Sequence, residues 1–252
     1  MTHNLLLKCI FALSVFGVTL IAGLIPFKIR KTIEHPIEFP IGETLATGVF
    51  LGAGLLHMLP EATRIFTSQG YHYPFAALIT GIVFLLFLWF EHVGKELYHH
   101  HNAVHPAFAL LAWVMLCIHS LILGTALGMN HQQSLMIMLF FAIIAHKWAE
   151  SFAISMQLNK SRLSFYSALI FFILFTLMTP LGIFIGTTLT DGISPNPLME
   201  ASLIAASAGT FLYLGTLHGL ERCVLVERCC NLRYFSFVIV GFILMGGVAF
   251  YV

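Results

Sequence analysis

The chain has 252 residues, of which 59% are hydrophobic and 9% charged, with a formal net charge of +1. Water-soluble domains carry roughly 25% charged residues, so most of a chain this apolar is expected to face lipid rather than water. The small net charge and the absence of a basic run argue against a nucleic-acid partner. The five cysteines, with no C-x-x-C pair, form neither a disulfide framework nor a zinc ribbon.

A membrane-spanning helix needs about 20 mainly apolar residues. Eight segments qualify, at about 5–26, 43–63, 74–97, 106–129, 134–158, 163–189, 197–220 and 234–252. The first has a weakly positive start, Lys8, and no small-residue cleavage site, and reads as a retained helix rather than a signal peptide. The breaks carry turn residues and charge, as in Pro26 to Pro40, Ser68 to Pro74 and Asp191 to Pro197. In the sixth segment Pro180-Leu181-Gly182 is expected to interrupt the helix. The fold class is therefore all-α and polytopic, with 1–252 forming one transmembrane domain.

Basic residues orient the spans. Lys28, Arg30, Lys31, Lys95, Lys160, Arg162, Arg222, Arg228 and Arg233 fall on one side, and only Lys8 and Arg64 on the other. The positive-inside rule then places both termini outside the cytoplasm. The remaining cation, Lys147, lies inside the fifth span.

Residues 48–59 read GVFLGAGLLHML and residues 209–220 read GTFLYLGTLHGL. Spans two and seven run in opposite senses, so the two copies are inverted. Inverted repeats build many secondary transporters, with the substrate site near the midplane. Gly48 and Gly52, four apart, permit close helix approach or dimerisation.

Span four contains His119-Ser120, and span five contains His146-Lys147-Trp148-Ala149-Glu150. Positions i and i+4 share a helix face, so His146 and Glu150 project together, and His119 on the neighbouring span can join them. Imidazole and carboxylate are ordinary ligands of zinc and its neighbours. Ionisable groups inside a bilayer are costly and point to function. The alternative is a hydrogen-bonded His–Glu contact that only joins helices.

HSLILGTALG in span four and HKWAES in span five resemble the paired metal-binding motifs of the ZIP (Zrt/Irt-like) metal transporters. GVFLGAGLLHMLPEA in span two and SAGTFLYLGTLHGLE in span seven are similar to that family's too. The resemblance implies a bundle of three, two and three helices, the first three related to the last three by inversion. It also implies uptake of zinc or a related divalent metal toward the cytoplasm across the plasma membrane, an elevator-like motion, and a homodimer. The metal is then the transported substrate, with no resident cofactor, and His119, His146 and Glu150 fall on the primary site. The carboxylate that some members place four residues after the span-four histidine is here Leu123. Positions used by two-metal members are here Ser120, Lys147 and Thr179, so one metal is expected, with water or Ser120 completing its shell.

His57 and His218 hold equivalent places in the repeat. They are candidate relays at the outer and inner mouths, or polar contacts at helix ends. Glu61 either shares the task of His57, four residues earlier, or pairs with Arg64. His99, His100, His101 and His105 crowd the loop between spans three and four, where they bind metal weakly or are simply solvated. Glu91, His92 and Glu96 are expected at the membrane surface. A competing reading, an intramembrane zinc-dependent hydrolase, would use the same trio to activate water, but the chain has no H-E-x-x-H.

Overall fold

The computed structural model describes residues 2–28, 39–97, 106–161, 163–189, 196–216 and 231–251. The described residues form α1 (Thr2–Lys28), α2 (Pro40–Gly52), a π-helical turn (Ala53–Met58), α3 (Leu59–Ser68), α4 (Phe75–Leu97), α5 (Pro106–Met129), α6 (Gln133–Lys160), α7 (Phe165–Leu189), α8 (Pro197–Tyr213) and α9 (Leu232–Tyr251). Because α2, the π-turn and α3 are continuous, the elements supply eight helices long and apolar enough to cross a membrane. Each lies on a predicted segment. The helical state follows from the solvent: in hydrocarbon every backbone N–H and C=O must be satisfied internally, and a helix does this within one segment. Proline opens α2, α5 and α8, where the missing N–H costs nothing. Asn196 caps α8, its side chain accepting from the Leu198 N–H at 3.0 Å.

The closest helix pairings are α5 with α7, α2 with α9, α1 with α6, and α4 with α8. Exchanging α1 with α7, the α2–α3 span with α8, α4 with α9, and α5 with α6 maps these four pairings onto one another. Three of these four interfaces, α5 with α7, α2 with α9 and α4 with α8, are backbone-to-backbone contacts through glycine. A Cβ on Gly124 of α5 would run into the Thr179 carbonyl, and one on Gly182 of α7 into the Leu121 carbonyl. Likewise a Cβ on Gly48 would strike the Val238 carbonyl of α9. Small residues allow such approach, and dispersion over the close-packed backbones holds it without a hydrophobic drive. The open choice for Gly48 and Gly52 is thus answered by close approach within the chain: Gly52 also faces α9, its Cβ position lying 2.6 Å from that of Met245.

At the centre, Phe50, Phe172, Phe175 and Phe211 are all buried. Large apolar side chains on the outside, such as Leu13 and Ile21 of α1, are widely exposed, as lipid-facing surface must be. Glu43 of α2 and Lys160 of α6 form an ion pair of 2.7 Å that joins one end of these two helices.

Two sequence readings are refined or corrected. Lys8, the weakly positive start of the first span, is buried, and its ammonium donates to the Gly128 carbonyl in the last turn of α5. A cation is favoured there because the helix C-terminus leaves unpaired carbonyls and a partial negative charge. Pro180 does not interrupt α7, which runs unbroken from Phe165 to Leu189. The irregular backbone lies in span two instead. There the Leu59 N–H bonds five residues back, to Gly54. Pro60, next in the chain, has no N–H to continue the ordinary ladder. The corresponding positions of the second repeat copy, 214–216, are π-helical as well.

Candidate metal centre

α5 and α6 are antiparallel neighbours whose middle turns carry the chemistry. His119 stands thirteen residues after the start of α5 and His146 thirteen after the start of α6, so the two occupy matched positions. Glu150, one turn beyond His146, rises on the same face. His119, His146 and Glu150 are 4%, 1% and 0% exposed, and one ligand atom from each lies within 4.8 Å of the others.

The details fit a metal better than a hydrogen-bonded glue. Glu150 Oε1 lies 3.4 Å from His119 Nε2 and 3.3 Å from His146 Nε2. Ligands held at about 2.0–2.1 Å around a tetrahedral zinc stand roughly 3.3–3.4 Å apart. Yet none of these three atoms makes a hydrogen bond, and His146 Nδ1 is also unpartnered. Buried polar atoms are nearly always satisfied, and each exception calls for an ion, a water or a function. Three of these atoms, one from each imidazole and one from the carboxylate, form a donor set within reach of a single ion.

The other carboxylate oxygen is committed elsewhere. Lys147 Nζ donates to Glu150 Oε2 at 2.8 Å and to Ser120 Oγ at 2.5 Å, and Ser120 Oγ lies 3.5 Å from the same Oε2. The ammonium also sits 4.5 Å from the centroid of the Phe175 ring, a cation–π contact. A buried charge demands such pairing. Ser120 and Lys147 are matched positions of α5 and α6, as are Leu123 and Glu150, so near-symmetric helices carry an asymmetric site.

Among the described residues, two aromatic neighbours of the imidazoles come from outside α5 and α6. The Phe211 ring of α8, fully buried, lies 5.1 Å from the His119 ring and 5.9 Å from the His146 ring. His57, in the π-turn, lies 6.5 Å from the His146 ring. The irregular turn therefore places His57 beside the trio, and π-turns often lie at functional sites. Phe211 was missed by sequence reasoning; the only signal was its match to Phe50 in the repeat. Glu61 is held by Arg64, which donates to its two oxygens at 2.9 and 2.6 Å, a surface pairing rather than a place at the trio. Glu91 accepts from the Tyr213 hydroxyl at 2.9 Å, linking α4 to α8. Thr179 is buried with its hydroxyl unpartnered. His218, His99, His100, His101 and His105 lie outside the described residues.

Comparison with known proteins gives the same direction. The family model described as ZIP Zinc transporter matches residues 5–109 and 101–249. Human zinc transporter ZIP2 is 28% identical, with 96% of each chain covered. The mouse protein of that name is 27% identical over the same shares. Zinc transporter 3 of Arabidopsis thaliana is 25% identical over 70% of this chain and 62% of its own. Since the family match runs from the first span to the last, the chain belongs to the ZIP zinc transporter family.

Proposed function

We propose that this protein carries zinc across the bilayer toward the cytoplasm, one ion at a time, through His119, His146 and Glu150. The observation that carries this reading is the set of buried, unpartnered ligand atoms converging between α5 and α6. Two neutral imidazoles and one carboxylate oxygen supply three strong ligands, and water or Ser120 supplies a fourth. Lys147 occupies the place where a second ion would need a carboxylate. Its charge repels a second cation, and in a dry interior that repulsion is weakly screened. The hydrolase alternative is set aside, because ZIP proteins are transporters and not enzymes.

Movement of the ion follows from how the ligands are distributed. All three stand on α5 and α6, which pack with α7 and α1; Phe211 and His57 belong to the other group, α2 to α4 with α8 and α9. A substrate held entirely by one group is delivered by sliding that group against the other, an elevator-like alternation. The exchange symmetry of the pairings supports two facing states related by the inverted repeat. His57 hands zinc to the trio from the outer mouth, and His218 receives it at the inner one. The histidine-rich loop at 99–105 buffers zinc on the cytoplasmic side. Both termini lie outside, the membrane is the plasma membrane, and the protein works as a homodimer.

The test is purified protein in liposomes enclosing a zinc-sensitive dye, with zinc binding measured in parallel. Saturable zinc influx and one tightly bound ion per chain are expected. No flux above empty liposomes, or a second tight ion at Ser120, Lys147 or Thr179, would overturn the proposal.

A further inference from the structure

The imidazole of His146 has no hydrogen bond on either nitrogen; its nearest polar contact is Glu150 Oε1, 3.3 Å from Nε2. Aromatic packing surrounds the ring as well: His119 at 6.0 Å, His57 at 6.5 Å and Phe211 at 5.9 Å between ring centroids, the last edge-to-face at 77°. Among the described ring contacts, Phe211 is the one from the opposite helix group that reaches both imidazoles. Aromatic pairs prefer edge-to-face or offset geometry and so restrain orientation as well as exclude water.

Phe211 has a twin. Phe50 is the same position in the other repeat copy, it is 3% exposed, and the two rings meet at 5.0 Å and 66°. Among the described ring contacts Phe50 touches Phe211 and neither imidazole. The helix exchange that relates the pairings carries Phe50 to Phe211 and His119 to His146. A conformation in which Phe211 covers both imidazoles and Phe50 does not is therefore one of a pair. Applying the exchange to it yields a state in which Phe50 lies over the imidazoles and Phe211 stands aside.

We propose that Phe50 and Phe211 are positioning residues that take turns: Phe211 orients and seals the His119/His146 pair in the state seen here, and Phe50 does so in the oppositely facing state. The inference rests on the alternating-access reading given above. Each ring forms the wall that closes the site toward one side of the membrane. Removing one ring unseals one side only, which generic loss of packing would not do.

The test uses Cys117, buried two residues before His119 on α5, as a reporter in a full-length chain whose four other cysteines are serine. Labelling by a membrane-impermeant thiol reagent is followed in right-side-out and inside-out vesicles, without zinc. Phe211→Ala is expected to raise Cys117 labelling several-fold from one face and Phe50→Ala from the opposite face. Phe211→Leu and Phe50→Leu, which keep bulk but lack the flat face, guard against misfolding and should show the same sidedness more weakly. Labelling raised from the same face in both variants, or unchanged in all four, would overturn the proposal. Because the reporter needs no metal, failure of the ligand assignment is read separately, as zinc flux that survives loss of His119, His146 or Glu150.

Discussion

Two ion pairs in this protein have the same spacing and nearly the same length, and opposite meaning. Lys147 and Glu150 are three apart on α6 and meet at 2.8 Å; Glu61 and Arg64 are three apart on α3 and meet at 2.6 Å. The first pair is 1% and 0% exposed, whereas Arg64 is 70% and Glu61 35% exposed. An exposed pair is screened by water and contributes little. A buried pair balances a large desolvation cost, so each partner depends on the other. Sequence spacing makes a pair possible, and burial decides what it does.

The strongest way to break the buried side of this comparison is at the ligands. His119→Ala, His146→Ala and Glu150→Ala are each expected to lower zinc uptake by more than the roughly 10–100-fold that loss of an outer partner costs a metal site. Membrane insertion should survive. Dye-loaded liposomes read the flux, and normal rates in two of the three variants would remove the assignment.

Lys147→Met separates structure from transport. Without its cation Glu150 is left buried and unpaired, and zinc-free protein should lose about 3–5 kcal/mol of stability. Zinc binding should tighten by about tenfold or more, because a repelling charge is gone and a carboxylate oxygen is freed. Zinc should therefore restore stability more in this variant than in the parent, since a ligand that binds only the folded state stabilises it. Turnover should fall as release slows. Thermal unfolding and equilibrium binding with and without zinc check this; equal losses in both conditions would count against it.

His57→Ala is expected to have an intermediate effect. It should raise the external zinc concentration needed for half-maximal uptake several-fold while the maximal rate changes less. Initial rates over a zinc series measure the two separately, and an unchanged half-saturation would leave His57 a packing residue. Arg64→Ala marks the small end. Breaking the exposed pair should shift stability by no more than about 1 kcal/mol and leave uptake within error of the parent. A large loss of flux would move Glu61 into the zinc path.

The eight spans were legible because a run of about 20 apolar residues has few alternatives to a membrane helix. The trio was legible for the converse reason: His119, His146, Lys147 and Glu150 are the only His, Lys, Arg, Asp or Glu residues within spans four and five. Phe211 was not. It is one of 24 phenylalanines, and nothing local marks the one that faces two imidazoles. Lys8 was legible as the positive start of the first span, but its buried carbonyl partner at the end of α5 was not. Pro180 misled because propensity penalises proline in a helix, yet α7 continues through it where α5 packs close alongside.

The sequence by itself determined the solvent, the helical state, the number of spans and the residue types able to hold a metal, because these depend on local composition and on a periodicity of 3.6 residues. Tertiary structure decided the rest: that the carboxylate splits its oxygens between Lys147 and the imidazoles, that Arg64 keeps Glu61 at the surface, that the π-turn brings His57 beside His146, and that Phe211 rather than Phe50 covers the site. Each of these depends on which helices meet and at what depth. In lipid that is settled by close packing of small residues over long sequence separations, where no local pattern records the partner.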